Sequence, residues 1–415
     1  MHRHDMNLPI DRSTPTAGRG ARDLRGVSRL VIDAITGVTD IVEDMHRTIA
    51  GGAPIVGALP AGRARGISGL VYRSVRGITR AVGVGIDAAI VGIEPLLGTQ
   101  DIPHGEALRA ALNGVLGDRL AQADSPLAIP MSLRHDGRAL DPARAFAGLQ
   151  APAQPRVLVM IHGLCMTDLQ WRRDGHDHGA ALAAELGASV LYLHYNSGRR
   201  ISDNGDELAD LLERLVADWP VPISELMIVG HSMGGLLARS ACHVAAQRGQ
   251  AWLSRLRKLV FLGTPHHGAP LERAGHRIDR ALALSPYSSP IARLGNIRSA
   301  GVKDLRHGIF VDTQPGTSAA SGDRDAARIE LPDGVDCYAV AASRSARAPR
   351  DGVARGDGLV PVASALGRHR DPVRQLGIPA ERQFICYDAH HFDLLSRGDV
   401  YQRLRDWLGG AADTA

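Results

Sequence analysis

One serine in this chain has the neighbours that a catalytic nucleophile requires. Ser232 follows the apolar run 226–229 and precedes a helix-forming stretch that starts at Leu236. Gly230 and Gly234 complete a Gly-x-Ser-x-Gly spacing, which suits a tight turn because strand and helix pass very close together there. We interpret this stretch as a strand-to-helix turn that exposes the hydroxyl. The alternative is a glycine-rich turn with an incidental serine.

A serine nucleophile needs a base that accepts its proton and an acid that orients the base. In a parallel sheet, such groups come from loops at the carboxyl ends of strands. Downstream of Ser232, the loop 356–361 and the segment 390–395 both follow predicted strands. An aspartate and a histidine are therefore expected there, in the chain order Ser, Asp, His.

Each of these two roles has two candidates. For the acid we favour Asp357, because glycines on both sides let its loop bend, over Asp351, which also precedes a glycine. For the base we favour His391, which adjoins the Phe-x-Leu-Leu segment before the last helix, over His390. His369 is expected to be a solvated surface residue.

Two backbone N–H groups are candidates for stabilising an oxyanion. Met233 stands at the N-terminus of the helix after Ser232, where backbone N–H groups and the helix dipole favour negative charge. Gly163 follows a predicted strand and lets the backbone of Leu164 aim its N–H inward. Supporting positions beside these donors are His162, Gly163, Gly230, His231 and Gly234. For His162 and Gly163 the alternative is an ordinary turn at a strand end.

The elements that must position these groups alternate along the chain from residue 126. A short hairpin is predicted around 127–138. The sequence then predicts apolar strands at 157–161, 190–195, 226–229, 258–262, 335–341 and 383–387, with helices at 180–186, 205–219 and 400–408. Continuous apolar strands separated by helices indicate an α/β fold, a mostly parallel sheet with helices on both faces.

The chain divides into three predicted regions. Residues 1–25 are expected to be disordered, 26–125 form a helical extension, and 126–415 form the α/β domain with a lid or cap insertion at 269–332. For the insertion, a disordered loop is the alternative. The extension contains an internal repeat, in which 26–31 is echoed by 66–71, and its two copies carry polar faces of opposite charge. The copies could pair as a helical hairpin, or the basic copy could lie on an anionic membrane or cover the active-site mouth.

Composition limits the classes of partner. Aromatic residues make up 4% of the chain and its net charge is +4. The absence of dense basic runs argues against a nucleic-acid surface. Four scattered cysteines are expected to be buried free thiols, which fits a reducing compartment. We expect a cytoplasmic protein, with peripheral membrane contact through residues 26–93 as an open alternative.

Five motifs together resemble α/β-hydrolase lipases and esterases. The resemblance is to the branch with GPI inositol-deacylase-like and bacterial triacylglycerol-lipase-like members. It covers roughly residues 150 to 410 and rests on the motifs 159–163, 230–235, 263–268, 356–361 and 391–395. It implies that 264–268 lines the active-site mouth. The N-terminal repeat lies outside the family pattern.

The resemblance implies acyl transfer through a Ser-His-Asp triad and an acyl-enzyme intermediate. The substrate would be a lipid-like or short acyl ester, and no metal or organic cofactor would be needed. An acyltransferase or thioesterase that uses the same serine is the first alternative. A non-catalytic membrane-docking or interaction protein on a hydrolase scaffold is the alternative from another class.

Overall fold

The computed structural model describes residues 103–141, 146, 149, 151–268, 299–308, 310–311, 329–348 and 356–410. The predicted disordered segment 1–25, the repeat and its proposed membrane contact at 26–93, most of the predicted insertion 269–332, and Asp351 lie outside these residues. Among the helices that the structure describes, none is long and apolar enough to cross a membrane.

The described chain alternates between strands and helices. Its helices are α1 (Pro103–Gln122), α2 (His178–Leu186), α3 (Ile201–Asp218), α4 (Met233–Arg248), α5 (Ala300–His307), α6 (Val362–Ala365) and α7 (Gly398–Gly409). Its strands are β1 (Ser132–His135), β2 (Arg138–Ala139), β3 (Arg156–Ile161), β4 (Arg172–Arg173), β5 (His176–Asp177), β6 (Ser189–His194), β7 (Glu225–His231), β8 (Leu256–Leu262), β9 (Asp336–Ser343) and β10 (Gln383–Tyr387). Short 3₁₀ helices span Asp168–Trp171, Ala251–Arg255, Pro372–Arg374, Ala380–Arg382 and His391–Leu395.

Eight of these strands form one sheet in the order β10-β9-β8-β7-β3-β6-β1-β2. The six strands from β10 to β6 pair in parallel, and β1 pairs antiparallel with both β6 and β2. Strands β4 and β5 form a separate antiparallel pair. The predicted fold class, an α/β fold with a mostly parallel sheet, is confirmed.

Both faces of the sheet are buried under helices. On β3, Val157, Val159 and Ile161 pack into a core that includes apolar residues of α3 and α4. The alternating residues Leu158 and Met160 pack on the opposite face with apolar residues of α2 and α7. Because both faces are covered, these strands are apolar at successive positions rather than at every second one.

Helix α3 begins earlier than the sequence pattern predicts. The predicted helix started at Gly205, whereas α3 starts at Ile201 and includes Gly205 in its second turn. A Cβ built on Gly205 would overlap the Ser240 hydroxyl of α4. This glycine therefore allows two helices to pack closely instead of marking a helix boundary.

Helix α1 is tied to the segment that follows it. Arg109 donates hydrogen bonds to the carbonyls of 126–128, and the Asn113 side chain bonds Leu127 O at 2.8 Å and Ile129 N at 3.0 Å. These bonds occupy backbone groups that a strand would use, so the hairpin strand begins at Ser132 and not at residue 127. Helix α1 thus bonds to residues on the other side of the domain boundary predicted at residue 125. The boundary itself stays a prediction.

The hairpin itself follows the predicted turn. Asp136 and Gly137 both have positive φ, 48° and 73°, between β1 and β2. Two successive residues with positive φ are the signature of the tight hairpin turn that Asp-Gly sequences favour.

A buried lysine fixes the end of the last helix. Lys258 of β8 is 1% exposed, and its ammonium group donates to the carbonyls of Leu408, at 3.1 Å, and Gly410. Glu225 lies 3.7 Å from the same ammonium group and accepts a 2.7 Å hydrogen bond from Arg156. The carbonyls at the C-terminus of α7, which have no partner within the helix, are thereby satisfied.

We predict that Lys258→Met, which keeps side-chain length but removes the ammonium, lowers the free energy of unfolding by about 1–3 kcal/mol, because charged hydrogen bonds are lost. Lys303 is exposed on α5 and provides the matched control, for which Lys303→Met should change stability by less than about 0.5 kcal/mol. Urea titration followed by circular dichroism measures both. Equal losses in the two variants would contradict a structural role for the Lys258 ammonium.

Candidate active site

Ser232 lies at the turn between β7 and α4. Its φ of 53° and ψ of −121° are an unfavourable conformation for a residue with a side chain. The turn is held by two backbone bonds, from Ser232 N to Leu262 O at 2.8 Å and from Gly235 N to Ser232 O at 3.1 Å. Ser232 is partly exposed, whereas its neighbours on either side are buried. This is the strained, exposed geometry of a nucleophile at a strand-to-helix turn.

The two glycines of the motif are required by close backbone contacts. A Cβ built on Gly230 would lie 2.6 Å from Gly235 N. A Cβ on Gly234 would lie 2.6 Å from His162 O and overlap Ile161 O at the end of β3. Real Cβ atoms do not approach other atoms so closely. The steric reason that the sequence suggested for these glycines therefore agrees with the geometry.

The structure brings Asp357 and His391 together. The Asp357 Oδ2 atom lies 2.6 Å from His391 Nδ1, and both residues are 3% exposed. The other oxygen, Oδ1, accepts hydrogen bonds from the backbone N–H groups of Leu359 and Val360 at 2.8 and 2.7 Å. The carboxylate is thus fixed on one side by backbone donors and accepts from the imidazole on the other. In this arrangement Nδ1 carries the proton and Nε2 is free to accept one.

His391 and Ser232 are linked to adjacent points at the end of β8. Ser232 N–H donates to Leu262 O, and a Cβ built on the next residue, Gly263, would lie 3.0 Å from His391 Cε1. The His391 ring also packs beside His231, with ring centroids 4.8 Å apart. Three loops that follow β7, β9 and β10 therefore place Ser232, Asp357 and His391 at the same edge of the sheet.

The competing candidates have other surroundings. His390 is exposed, and its backbone N–H donates to Asp393 Oδ2 at 2.7 Å, which caps the following 3₁₀ helix. His369 is partly buried, with its ring centroid 4.9 Å from that of His267. The expectation that His369 is a solvated surface residue stays a prediction, since its side chain is partly exposed and also packs against a second histidine.

The loop after β3 contacts the serine. A Cβ built on Gly163 would lie 3.1 Å from the Ser232 Cβ, so a glycine is needed there. The next residue, Leu164, is partly buried and stays the predicted second oxyanion donor. Met233 is the first residue of α4, and the N–H of a first helical residue has no acceptor within its helix. These positions are compatible with two N–H donors near the serine hydroxyl.

Two buried histidines beside the site are held neutral. Burial lowers the pKa of His162 to about 3, and burial followed by the charge of His391 lowers the pKa of His231 well below its usual value. The His162 carbonyl accepts a hydrogen bond from the Tyr195 hydroxyl at 2.9 Å. His231 Nε2 donates to the His391 carbonyl at 3.3 Å. His162 and His231 are therefore neutral and their segments are tied to neighbouring loops, which leaves His391 as the candidate base.

The contact between His231 and His391 is one that sequence reasoning missed. The pattern named His231 only as a neighbour of the serine, and the two histidines are 160 residues apart. Its position before Ser232 was the available signal, but the partner depends on how β10 aligns beside β9 and β8.

The segment 264–268 is more buried than an active-site mouth would require. Thr264 is 0% exposed, and its hydroxyl lies so close to Gly235 that a Cβ built on this glycine would overlap it. His266 is 3% exposed and lies beside Arg239. Burial, then the charge of Arg239, lowers the pKa of His266 well below its usual value. Only His267 is partly exposed in this segment. Its predicted place at the mouth stays a prediction.

Residues 153–315 match the family model described as the PGAP1-like alpha/beta domain. The match includes β3, the strand-to-helix turn at Ser232 and β8, and ends before Asp357 and His391. The described chain has a mostly parallel α/β fold, in agreement with the alpha/beta domain that this family model describes. The resemblance to this family that the five motifs suggested is confirmed for the matched segment.

Several solved structures are similar to this chain. A Bacillus licheniformis lipase in mature form shares 18% identity, with 68% of this chain and 98% of the lipase covered, at a TM-score of 0.39. Aspergillus fumigatus lipase B shares 10%, with 64% and 56% covered, at 0.41. A thioesterase from the prodiginine pathway of Streptomyces coelicolor shares 20%, with 65% and 91% covered, at 0.34. Comparison with curated proteins gives no match.

We predict that Gly234→Ala lowers the free energy of unfolding by more than about 2 kcal/mol, because the new methyl group meets two fixed carbonyl oxygens and α4 must shift away from β3. Gly249 ends the same helix at φ 63° with no atom within 4 Å of a built Cβ. The control Gly249→Ala should therefore cost only the backbone strain, about 1 kcal/mol. Thermal and urea unfolding measure both, and a Gly234→Ala loss no larger than the control would refute the steric argument.

Proposed function

We propose that this α/β-hydrolase is a serine carboxylic-ester hydrolase, a lipase or esterase, that acts on lipid-like or short acyl esters. Ser232 is the nucleophile, His391 the general base and Asp357 the residue that orients it. Leu164 and Met233 supply the oxyanion-stabilising N–H groups. The enzyme is proposed to work in the cytoplasm, and its four cysteines are buried free thiols.

One observation carries this proposal. A serine in the strained conformation at the end of β7 shares the carboxyl edge of the sheet with a buried Asp357–His391 pair, joined at 2.6 Å. Burying a charged group costs free energy unless the group is paired, and the Asp357 carboxylate has such a partner in His391. A base fixed by a buried acid, at the same sheet edge as a partly exposed serine, is the constellation that can activate a hydroxyl.

The mechanism follows from the orientation of the imidazole. His391 Nε2 accepts the Ser232 proton as Oγ forms a bond to the ester carbonyl carbon. The imidazolium is stabilised by Asp357, and the carbonyl oxygen becomes an oxyanion near the N–H groups of Met233 and Leu164. When the tetrahedral intermediate collapses, the C–O bond to the alcohol breaks and the alcohol takes the proton from His391. Water then attacks the acyl-enzyme in the same way and releases the acid.

Ser232→Ala tests the nucleophile directly. We expect kcat/KM for p-nitrophenyl esters to fall by at least ~10³-fold, because no acyl-enzyme can form. Initial rates over a series of acyl chain lengths, from acetate to palmitate, give the acyl preference of the wild type. If both proteins hydrolyse every ester equally slowly, the enzyme proposal is wrong and the non-catalytic alternative gains support.

The adjacent histidines form a matched pair of variants. His391→Ala should lose at least ~10³-fold in kcat, because the base is removed. His390→Ala should stay within about 3-fold of wild type, because its exposed side chain is outside the Asp357 pair. The readout is kcat on p-nitrophenyl butyrate, with circular dichroism to verify folding. A larger loss for His390→Ala than for His391→Ala would reverse the assignment of the base.

An acyltransferase or thioesterase would use the same acyl-enzyme, so the acceptor and the leaving group separate these candidates. When alcohol is added, the fraction of acyl groups that appear as a new ester measures how well the site uses alcohol in place of water as the acceptor. Competition between matched oxygen esters and thioesters ranks kcat/KM for the two leaving groups. A strong preference for alcohol over water, or for the thioester, would replace the hydrolase assignment while keeping Ser232 as nucleophile.

A further inference from the structure

We propose that helix α1 is a positioning element of the oxyanion site, and that the contact of Gly114 with Cys165 holds the loop 163–165 in its working conformation. The inference rests on the proposed function, because it assigns a role to the loop that carries Leu164. It concerns a helix that lies before the matched segment 153–315 and that the sequence pattern placed in an extension.

The starting observation is the backbone of Cys165. This residue has a φ of 59°, in the left-handed region that residues with side chains rarely adopt. Its side chain is 8% exposed, and its backbone N–H donates to the Ser197 hydroxyl at 3.0 Å. Such a conformation persists only where surrounding contacts enforce it. Ser197, in the loop after β6, supplies one of these contacts.

Helix α1 supplies the other contact. A Cβ built on Gly114 would overlap the Cys165 sulfur and lie 3.0 Å from both the Cα and the N of Cys165. The Cys165 thiol also lies 3.9 Å from Ala111 O, one turn earlier in α1. The helix therefore lies directly on the cysteine, at a distance that only glycine permits at position 114.

The position of α1 is fixed independently of Cys165. The Asn196 side chain donates to Gly117 O at 2.9 Å, and its Oδ1 occupies the space of a Cβ on Gly117. At the neighbouring turn, the Ser299 hydroxyl donates to Gly114 O at 2.7 Å. Ala300 N–H donates to Asp118 Oδ2 at 3.0 Å. Since these contacts hold the helix on several sides, α1 cannot easily move away from the loop.

These contacts constrain Leu164 from both sides. On its N-terminal side, Gly163 lies so near Ser232 that a Cβ built on the glycine would be 3.1 Å from the serine Cβ. On its C-terminal side, the bond from Cys165 N–H to Ser197 fixes the plane of the peptide that joins Leu164 to Cys165. The Leu164 N–H lies in the preceding peptide, which only the φ and ψ rotations of Leu164 separate from this plane, so its direction is coupled through Leu164 to the packing of Cys165 beneath α1.

The role of Cys165 is one of volume and conformation rather than thiol chemistry. Burial raises the pKa of its thiol to about 12, so the sulfur stays protonated and unreactive near neutral pH. A helix that presses on this side chain can thus act on the loop without any chemical step at the cysteine.

Gly114→Ala in the full chain tests the proposal. The new methyl group overlaps Cys165, so a loss of stability is expected of a purely structural contact as well, and the decisive readout is kinetic. We expect kcat for p-nitrophenyl butyrate to fall about 10- to 100-fold while KM stays within about 3-fold. Complete loss of an oxyanion donor costs about 10²–10³ in kcat, and the effect here should be smaller because the donor is displaced and not removed.

A second readout reports on the oxyanion site itself. Ser232 Oγ adds to the carbonyl carbon of an alkyl trifluoromethyl ketone, and the serine proton moves to His391. The resulting hemiketal oxyanion mimics the oxyanion of the tetrahedral intermediate. The affinity of the ketone should fall by the same factor as kcat/KM. The affinity of the matching carboxylic acid product, which forms no oxyanion adduct, should change by less than about 3-fold.

Rescue and control variants separate displacement of the loop from general damage. Adding Cys165→Ala to Gly114→Ala removes the sulfur that the new methyl group meets, so kcat should return to within about 3-fold of Cys165→Ala alone. Gly398, at the start of α7, has no atom within 4 Å of a built Cβ. Gly398→Ala should leave kcat and the inhibitor affinity unchanged.

The outcomes distinguish this inference from the proposed function. If the wild type neither hydrolyses esters nor binds the trifluoromethyl ketone, the proposed function fails and the inference with it. If the wild type is active and Gly114→Ala keeps its kcat, the inference is wrong and the proposed function stands. Should Gly114→Ala fail to fold, Ser197→Ala decides, because it removes the bond to Cys165 N–H without adding volume. A fall in its kcat at constant KM supports the role of the loop, and an unchanged kcat overturns it.

Discussion

The close approach of helix α4 to the carboxyl end of β3 is the constraint on which the site depends. Gly234 lies against the carbonyls of Ile161 and His162, and this contact sets the angle at which the helix leaves the strand-to-helix turn. The same contact brings the loop after β3 to Ser232. Backbone packing alone thereby brings together the proposed nucleophile, the first N–H of α4 and the loop of the proposed second donor.

The second requirement is that a single histidine near the serine be free to accept a proton. Among the histidines at this edge of the sheet, we compare His162, His231 and His391: the first two are fully buried, and burial lowers the pKa of both. A neutral His231 packed against His391 adds no positive charge that would oppose the imidazolium. Only His391 pairs with a carboxylate, Asp357, which stabilises the charged form that the reaction needs.

The sequence points to much of this candidate site because its local chemistry is unusual. The spacing of Gly230, Ser232 and Gly234 has a steric cause within one turn, and Asp357 sits between glycines, of which Gly358 has a φ of 103°. What could not be predicted depends on distances between remote segments. The contact of His231 with His391 and that of Gly114 with Cys165 follow from strand register and helix packing. The predicted helix started at Gly205 because the contact that requires this glycine is with Ser240, a residue of another helix that the local pattern does not reveal.

Strain next to the proposed oxyanion donors shows why the surrounding packing must be rigid. Ser232, immediately before Met233, has φ 53°, and Cys165, immediately after Leu164, has φ 59°. Each such conformation costs about 1–2 kcal/mol for a residue with a side chain. A flexible site would relax both residues and turn the adjacent N–H groups away. The tight contacts of β3, α4 and α1 around them offset the strain, and under our proposal a helix outside the catalytic motifs helps to keep the two candidate donors aligned.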